Sequence, residues 1–273
     1  MVKVAVITGS GTYHLPGEWA KRVYRNRFGE ALLNVGRIGN AEVAHLPRHG
    51  LGHEVLSCLV NHRANLLAVA EWGADLIIGT SVVGIVDPEL DLGQVVIFDE
   101  LFFPDNRLPG GEPCTIFDVP SDPKRGHLVA ETFFSPTLRD RLRKVCVEAG
   151  ISFMGRGAYA CMLGPRFNTR LEVNWLQSVG VSAVSQTAGP EAVLAGELMI
   201  PYALLGFTVN FSAGVGEPVG LERQEELIAR SREVFSDLVQ RFCNDLGPGE
   251  KFPYDIGYIR RLEAKTARPA AAG

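Results

Sequence analysis

Short β-branched runs alternate with helix-period segments almost from end to end of this 273-residue chain, and that alternation narrows the possible folds more than any single motif does. Val2 to Ile7 reads as a strand, as do Ala41 to Leu46, Asp75 to Gly79, Gln94 to Phe98, Val181 to Ser185 and Tyr202 to Val209. Helical spacing of apolar residues marks Asn61 to Trp72, Pro136 to Ala149, Thr169 to Val179, Pro190 to Leu198 and Glu222 to Leu246. Pro190 followed by Glu191 is a good helix start, because proline lacks only an amide that a first turn leaves unpaired and glutamate favours the positive end of the helix dipole. Elements in this order predict an α/β fold: a single domain over residues 1–250 with a mixed, largely parallel central sheet flanked by helices. The stretch from Phe103 to Arg125, rich in Pro, Gly and Asp, reads as a long surface excursion of that domain rather than a boundary. Residues 251–273, ending Lys265-Thr266-Ala267-Arg268-Pro269 and a run of alanines, read as a C-terminal arm that either joins an interface or is disordered at its end.

Hydrophobic residues make up 46% of the chain and charged ones 21%, ample for a sizeable core. The formal net charge is −4, and no stripe of Lys and Arg with interleaved aromatics is present, which argues against nucleic acid as a partner. Cys58, Cys114, Cys146, Cys161 and Cys243 are odd in number and lack CxxC spacing, and Met1-Val2-Lys3-Val4 runs into a strand rather than a signal sequence. Free thiols in a reducing cytoplasm are expected. The longest apolar run, Leu198 to Val209, contains Pro201 and is too short to cross a bilayer, so no membrane association is expected. Cys161 fits a small core residue better than a nucleophile.

The strand ending at Leu46 runs into Pro47-Arg48-His49-Gly50-Leu51-Gly52-His53. An arginine, a histidine and glycine-freed amides after a strand suit a compact oxyanion such as phosphate. His49 and His53 are four apart, but Gly50 and Gly52 weaken the helix that would align them on a metal, and no Glu stands where a zinc protease has its base. Similar donor groups follow other strands: Gly9-Ser10-Gly11, Thr80-Ser81-Val82-Val83-Gly84 and Gln186-Thr187. Ligands of open α/β sheets sit at such carboxyl ends. Phe167, with Asn168 beside it before a helix, either staples that helix to the core or stacks on a planar base. Asn210 ends the Tyr202 strand as a turn former or as a ligand-facing amide, with Ser212 nearby.

Taken together, ITGSG at Ile7 to Gly11, PRHGLGH at Pro47 to His53, VNHRAN at Val60 to Asn65, TSVVGIV at Thr80 to Val86, GPRFNTRLE at Gly164 to Glu172, QTAGPEAVLAGE at Gln186 to Glu197 and VNFSAG at Val209 to Gly214 resemble the trimeric branch of the purine nucleoside phosphorylase family, in particular its methylthioadenosine and methylthioinosine phosphorylase members. The resemblance spans about Val4 to Leu246. It implies that Ser10, Arg48, His49, Ser81, Thr187 and the backbone at Val82 hold phosphate, which is a co-substrate, with no metal or other cofactor required. Phe167 would stack on the purine, Asn168 face its N1 side and Asn210 bind its N7 edge; Ser212 and Gln186 complete the purine and ribose contacts, and the catalytic set is Asn210, Arg48 and His49. Val219 and Leu221 are expected at the 5′ pocket, joined by His127 from a neighbouring subunit of a homotrimer or a dimer of trimers. Gln186 stands where the family usually has a methionine, and His62 where its motif commonly has tyrosine. The methylthioadenosine enzymes have Asp at the Asn210 position; an amide, both donor and acceptor, suits a 6-oxopurine. The expected activity is therefore phosphorolysis of a 6-oxopurine nucleoside, with 5′-methylthioinosine foremost. Inosine or guanosine phosphorylase and methylthioadenosine phosphorylase are the enzymatic alternatives, and a catalytically weak nucleoside or phosphate binder is the non-enzymatic one.

Overall fold

The computed structural model describes residues 1–13, 15–120 and 122–261. Its elements are β1 (Val2–Thr8), β2 (Trp19–Asn26), β3 (Gly29–Ile38), β4 (Ala41–Pro47), α1 (His62–Trp72), β5 (Leu76–Ile85), β6 (Val95–Ile97), β7 (Glu100–Phe102), β8 (Gly126–Ala130), α2 (Pro136–Ala149), β9 (Phe153–Met154), β10 (Ala158–Cys161), α3 (Arg170–Ser178), β11 (Val181–Ser185), α4 (Ala188–Glu197), β12 (Tyr202–Phe211), α5 (Leu221–Asn244) and β13 (Gly257–Arg261). Every strand except β8 and β13 belongs to one mixed sheet of 11 strands. Its centre is parallel: β4, β1, β5 and β12 follow one another in that sense. The centre of the sheet is buried on both faces, which is why β1 reads as a continuous apolar run from Val4 to Ile7. Ala5 and Ile7 pack with α1 and α4 through Leu66, Val69 and Leu194, while Val4 and Val6 pack with α2 and α5 through Leu142, Leu238 and Phe242. The α/β architecture expected from the alternation is present.

Local chemistry sets the helix ends. The Asn61 side chain accepts from the Ala64 amide at the start of α1, and Ser135 accepts from Leu138 before Pro136 opens α2. Thr169 and Glu172 form a reciprocal capping box on α3. The helix expected from Pro190 begins two residues earlier, at Ala188, directly behind Thr187.

Several elements depart from the sequence expectation. β2 and β3 form an antiparallel hairpin joined at Arg27 and Phe28 that no strand reading had included. β5 does not end at Gly79 but runs on to Ile85. The excursion from 103 to 125 is not a bare surface loop: Leu108, Cys114 and Ile116 are buried, and Arg63 of α1 donates to the Thr115 and Pro113 carbonyls. Beyond residue 251 the chain docks as β13 on β8, with Tyr258 opposite Val129. The expected disorder at the end of the arm falls on residues 262–273, outside the described residues. No helix among the described residues is long and apolar enough to cross a membrane.

Candidate active site

The site begins at a break in the sheet. β12 lies along one edge of β5 from Ile77 to Ile85. The other edge is divided between β1, which pairs with Leu76 to Gly79, and β11, which runs antiparallel to Gly84 and Ile85. Thr80 to Val83 lie between, where none of the described strands pairs with that edge. The Ile77 amide donates to the Pro201 carbonyl, so odd-numbered peptide groups of β5 turn toward β12 and even-numbered ones toward the divided edge. Thr80 and Val82 therefore present backbone groups to the opening. A change of strand partner of this kind leaves a crevice at the carboxyl ends, the usual ligand position in open α/β sheets. Here it is a cavity of about 570 Å³.

At one end of the cavity stand Ser10, Arg48, His49, Ser81, Val82 and Thr187, delivered by the ends of β1 and β4, by β5 and by the turn into α4. Arg48 is not a free cation. Its Nε and Nη2 donate to the two carboxylate oxygens of Glu191 at 2.6 and 2.9 Å, and Nη1 donates to the Thr80 carbonyl at 2.7 Å. Both side chains of this fork are 1% exposed. Three of the five guanidinium N–H groups are thus engaged, and the rest remain for a ligand. Burial alone would depress the Arg48 pKa, but the Glu191 carboxylate more than reverses this and holds it above its ordinary value. Glu191 takes a further bond from the Tyr202 hydroxyl at 2.9 Å. Burial works against the carboxylate, yet Arg48 keeps its pKa below the usual range, so both partners are ionised.

His49 differs in kind. Burial, reinforced by the adjacent Arg48 charge, pushes its pKa down to about 4, so the ring is neutral. Nδ1 faces the Val55 carbonyl at 2.8 Å, and a carbonyl only accepts, so Nδ1 carries the proton. The ring stacks on His53 with centroids 4.5 Å apart, and His53 Nδ1 meets the Tyr13 hydroxyl at 3.1 Å. Behind them His62 is buried with neither ring nitrogen hydrogen-bonded, and burial lowers its pKa to about 4.

At the other end stand Phe167, Asn168, Gln186, Asn210 and Ser212. Asn210 lies within β12, past a register shift after Thr208, rather than in a turn beyond the strand. Its Nδ2 donates to the Phe211 carbonyl at 3.2 Å, which leaves the second N–H and Oδ1 for a ligand. Asn210 and Ser212 can flank Gly84 only because it lacks a side chain: a Cβ there would lie 2.9 Å from Ser212 Oγ and 3.4 Å from Asn210 Nδ2. Phe167 is 81% exposed at the cavity mouth. Stapling to the core is thereby excluded for this ring, and Cys161 is buried, as expected of a core residue.

Two expected residues do not line the cavity, and a third was expected from a neighbouring subunit. Val219 is half-buried against the core near α5, and Leu221 is exposed on the first turn of that helix; the cavity wall in this region comes instead from Pro218, Gln224 and Ile228. The helical turn carries Gln224 and Ile228 inward and Leu221 outward, which spacing without the helix's rotation does not reveal. His127 is exposed on β8, outside the cavity of its own chain. Glu191 and Tyr202 were missed as site residues. The one available signal was a glutamate immediately after a strand and a proline, and it was accounted for by the helix start.

The fold and this site define a family. Residues 3–244 match the Phosphorylase superfamily, and the chain belongs to it. Among named relatives, the 6-oxopurine nucleoside phosphorylase of Pyrococcus furiosus is 34% identical over 245 residues, spanning 88% of this chain and 91% of the relative. The S-methyl-5′-thioadenosine phosphorylase of Mycobacterium tuberculosis is 33% identical over 229 residues, spanning 83% and 82%. The structure of methylthioadenosine phosphorylase from Schistosoma mansoni in complex with adenine covers 89% of this chain and 91% of its own at a TM-score of 0.80 and 24% identity, a likeness of fold.

Proposed function

We propose that the protein is a pentosyltransferase that cleaves the N-glycosidic bond of a 6-oxopurine nucleoside with inorganic phosphate, giving free base and a ribose 1-phosphate, with 5′-methylthioinosine as the preferred nucleoside. One observation carries the reading: the Val82 amide in the broken edge of β5 and the Asn210 amide on the neighbouring strand open into the same cavity. Phosphate takes the first end, held by the Val82 amide, by Ser10, Ser81 and Thr187, and by the outward N–H groups of Arg48. As the C1′–N9 bond breaks, negative charge moves onto the purine and positive charge onto the ribosyl carbon. The phosphate dianion stabilises that carbon and then bonds to it, while Asn210 donates to N7 of the departing base; no enzyme nucleophile takes part. Phe167 stacks on the base, and Asn168 faces its N1 edge.

The 6-oxo preference rests on the amide at position 210 and is supported by the likeness to the Pyrococcus enzyme. The apolar Pro218 and Ile228 support a methylthio group at the 5′ position. No metal or organic cofactor enters the reaction, and a chelator is expected to leave it unchanged. A cytoplasmic homotrimer completes the reading. His127 lies outside its own cavity, and Leu171 and Trp175 on α3 with Val179 at its C-terminal cap are apolar, exposed and four residues apart, a face that a second copy would cover. A panel of methylthioinosine, inosine, guanosine and methylthioadenosine, with and without phosphate, tests the function by release of base. Asn210→Asp is expected to shift preference toward adenine by roughly ten- to a hundredfold. Phosphate-independent release, or wild-type preference for methylthioadenosine, overturns the corresponding part.

A further inference from the structure

Gln186 lines the cavity beside Thr187, and its amide is engaged on both sides. Oε1 accepts from Ser57 Oγ at 2.6 Å, and Nε2 donates to the Arg166 carbonyl at 3.2 Å. The two partners belong to different loops. Ser57 ends the segment that leaves β4 through Arg48, His49 and His53, the phosphate end of the site. Arg166 directly precedes Phe167 and Asn168, the base end. Its side chain is itself fixed, with Nη1 and Nη2 on the Glu172 carboxylate at 2.8 and 2.6 Å. Gly164 seats this loop directly on the bridge: a Cβ there would fall 2.0 Å from Gln186 Oε1 and 2.7 Å from Ser57 Oγ. Within the described residues this is the hydrogen-bonded path from the histidine-bearing loop to the aromatic that caps the cavity, and its polarity is unambiguous because the Arg166 carbonyl can only accept.

We propose that Gln186 is a positioning residue that couples phosphate binding to base binding, by holding the loop that carries Phe167 against the loop that carries His49. The inference rests on the functional reading above. An anion that orders the 48–57 loop fixes Ser57; Ser57 then fixes Gln186, and Gln186 fixes the backbone from which Phe167 projects. Coupling of this kind is reciprocal, so base must tighten phosphate by the same factor. A thioether or aliphatic side chain at 186 fills the space but transmits neither bond.

The test uses the full chain and a dead-end pair that cannot turn over, hypoxanthine and inorganic phosphate. Hypoxanthine affinity is measured by calorimetry with and without saturating phosphate for the wild type, Ser57→Ala, Ser57→Thr, Gln186→Met and the Ser57→Ala/Gln186→Met double variant. In the wild type phosphate is expected to tighten hypoxanthine at least about fivefold. Ser57→Ala and Gln186→Met should each bring that factor close to one, with phosphate affinity in the absence of base changed less than about twofold. The double variant should be no worse than either single one, as for members of one path. Ser57→Thr, which keeps the hydroxyl, should retain the coupling. In steady state the variants should show a raised nucleoside KM that no longer responds to phosphate, with kcat reduced less. Coupling that survives in Gln186→Met, additive losses in the double variant, or a wild type that phosphorolyses nucleosides with independent binding of base and phosphate overturns the inference and leaves the function standing. A wild type without phosphorolysis overturns both.

Discussion

Arg48 shows why a side chain's partners must be known before its removal can be interpreted. Read from sequence it is a phosphate ligand, and Arg48→Ala is expected mainly to raise the phosphate KM. In the fold it also neutralises Glu191, buried at 1% exposure with Tyr202 as its other donor. Truncation leaves a carboxylate without its cation, a loss of about 3–5 kcal/mol. Arg48→Ala should therefore lower the denaturation midpoint as well as activity. Arg48→Met combined with Glu191→Leu should recover much of the stability and none of the activity; a double variant less stable than Arg48→Ala refutes the pairing argument. The two neutral histidines make a second residue-scale prediction. His49 and His62 titrate at about 4 in the fold and near 6.5 when unfolded. With the folded value below the unfolded one, the unfolded chain binds more protons between those limits, so stability falls as pH drops from about 6.5 toward about 4. At about 1.4 kcal/mol per pH unit, each ring accounts for about 3 kcal/mol at most. His62→Leu should match or exceed wild-type stability at pH 7 and decline less steeply to pH 4.5 in urea titrations; an unchanged slope removes His62 from the acid response.

Among the elements, β5 and β12 set the base end. Gly84→Ala on β5 should displace Ser212 and Asn210 and raise the nucleoside KM at least about tenfold, with phosphate binding nearly unchanged; equal losses for both substrates would mean that Gly84 shapes the whole crevice. The same two strands show what the sequence made legible. Their apolar cores were visible at Leu76 to Gly79 and Tyr202 to Val209, because burial on both faces writes a continuous hydrophobic run. Their functional ends were not. Thr80-Ser81-Val82-Val83-Gly84 has the composition of a loop, and it stays extended because β12 pairs along it, a partnership more than a hundred residues away that local pattern does not encode. The β2–β3 hairpin escaped for the opposite reason. Ala20-Lys21-Arg22-Val23-Tyr24-Arg25 is a charged edge strand, and its Arg27-Phe28 turn carries none of the Asn-Gly or Asp-Gly chemistry that announces a hairpin. What the quoted motifs did signal is a shared location: Ser10, Arg48, His49, Ser81, Val82, Thr187, Phe167, Asn168, Gln186, Asn210 and Ser212 line one cavity. Val219 and Leu221 came from the family resemblance, and in the fold Gln224 and Ile228 of α5 line the wall instead.

For the whole molecule, the exposed Leu171 and Trp175 of α3 and Val179 at its cap predict self-association. Leu171→Asp should convert a trimer to monomers in sedimentation velocity; a wild type that sediments as a monomer while fully active excludes both the interface and the assignment of His127 to a neighbour. The divided edge of β5 has a consequence of another kind. Peptide groups at Thr80 and Val82 face an opening where an ordinary sheet would have a strand; Arg48 takes the Thr80 carbonyl, and the Val82 amide is turned to the cavity. An anion seated there supplies acceptors to the Val82 amide as a neighbouring backbone would, which makes the ligand a piece of secondary structure. Bound phosphate should then slow hydrogen exchange at the Val82 amide more than at its neighbours toward β12, and at a hundred times its dissociation constant raise global stability by about 2.7 kcal/mol. In that sense the fold is finished only by its co-substrate.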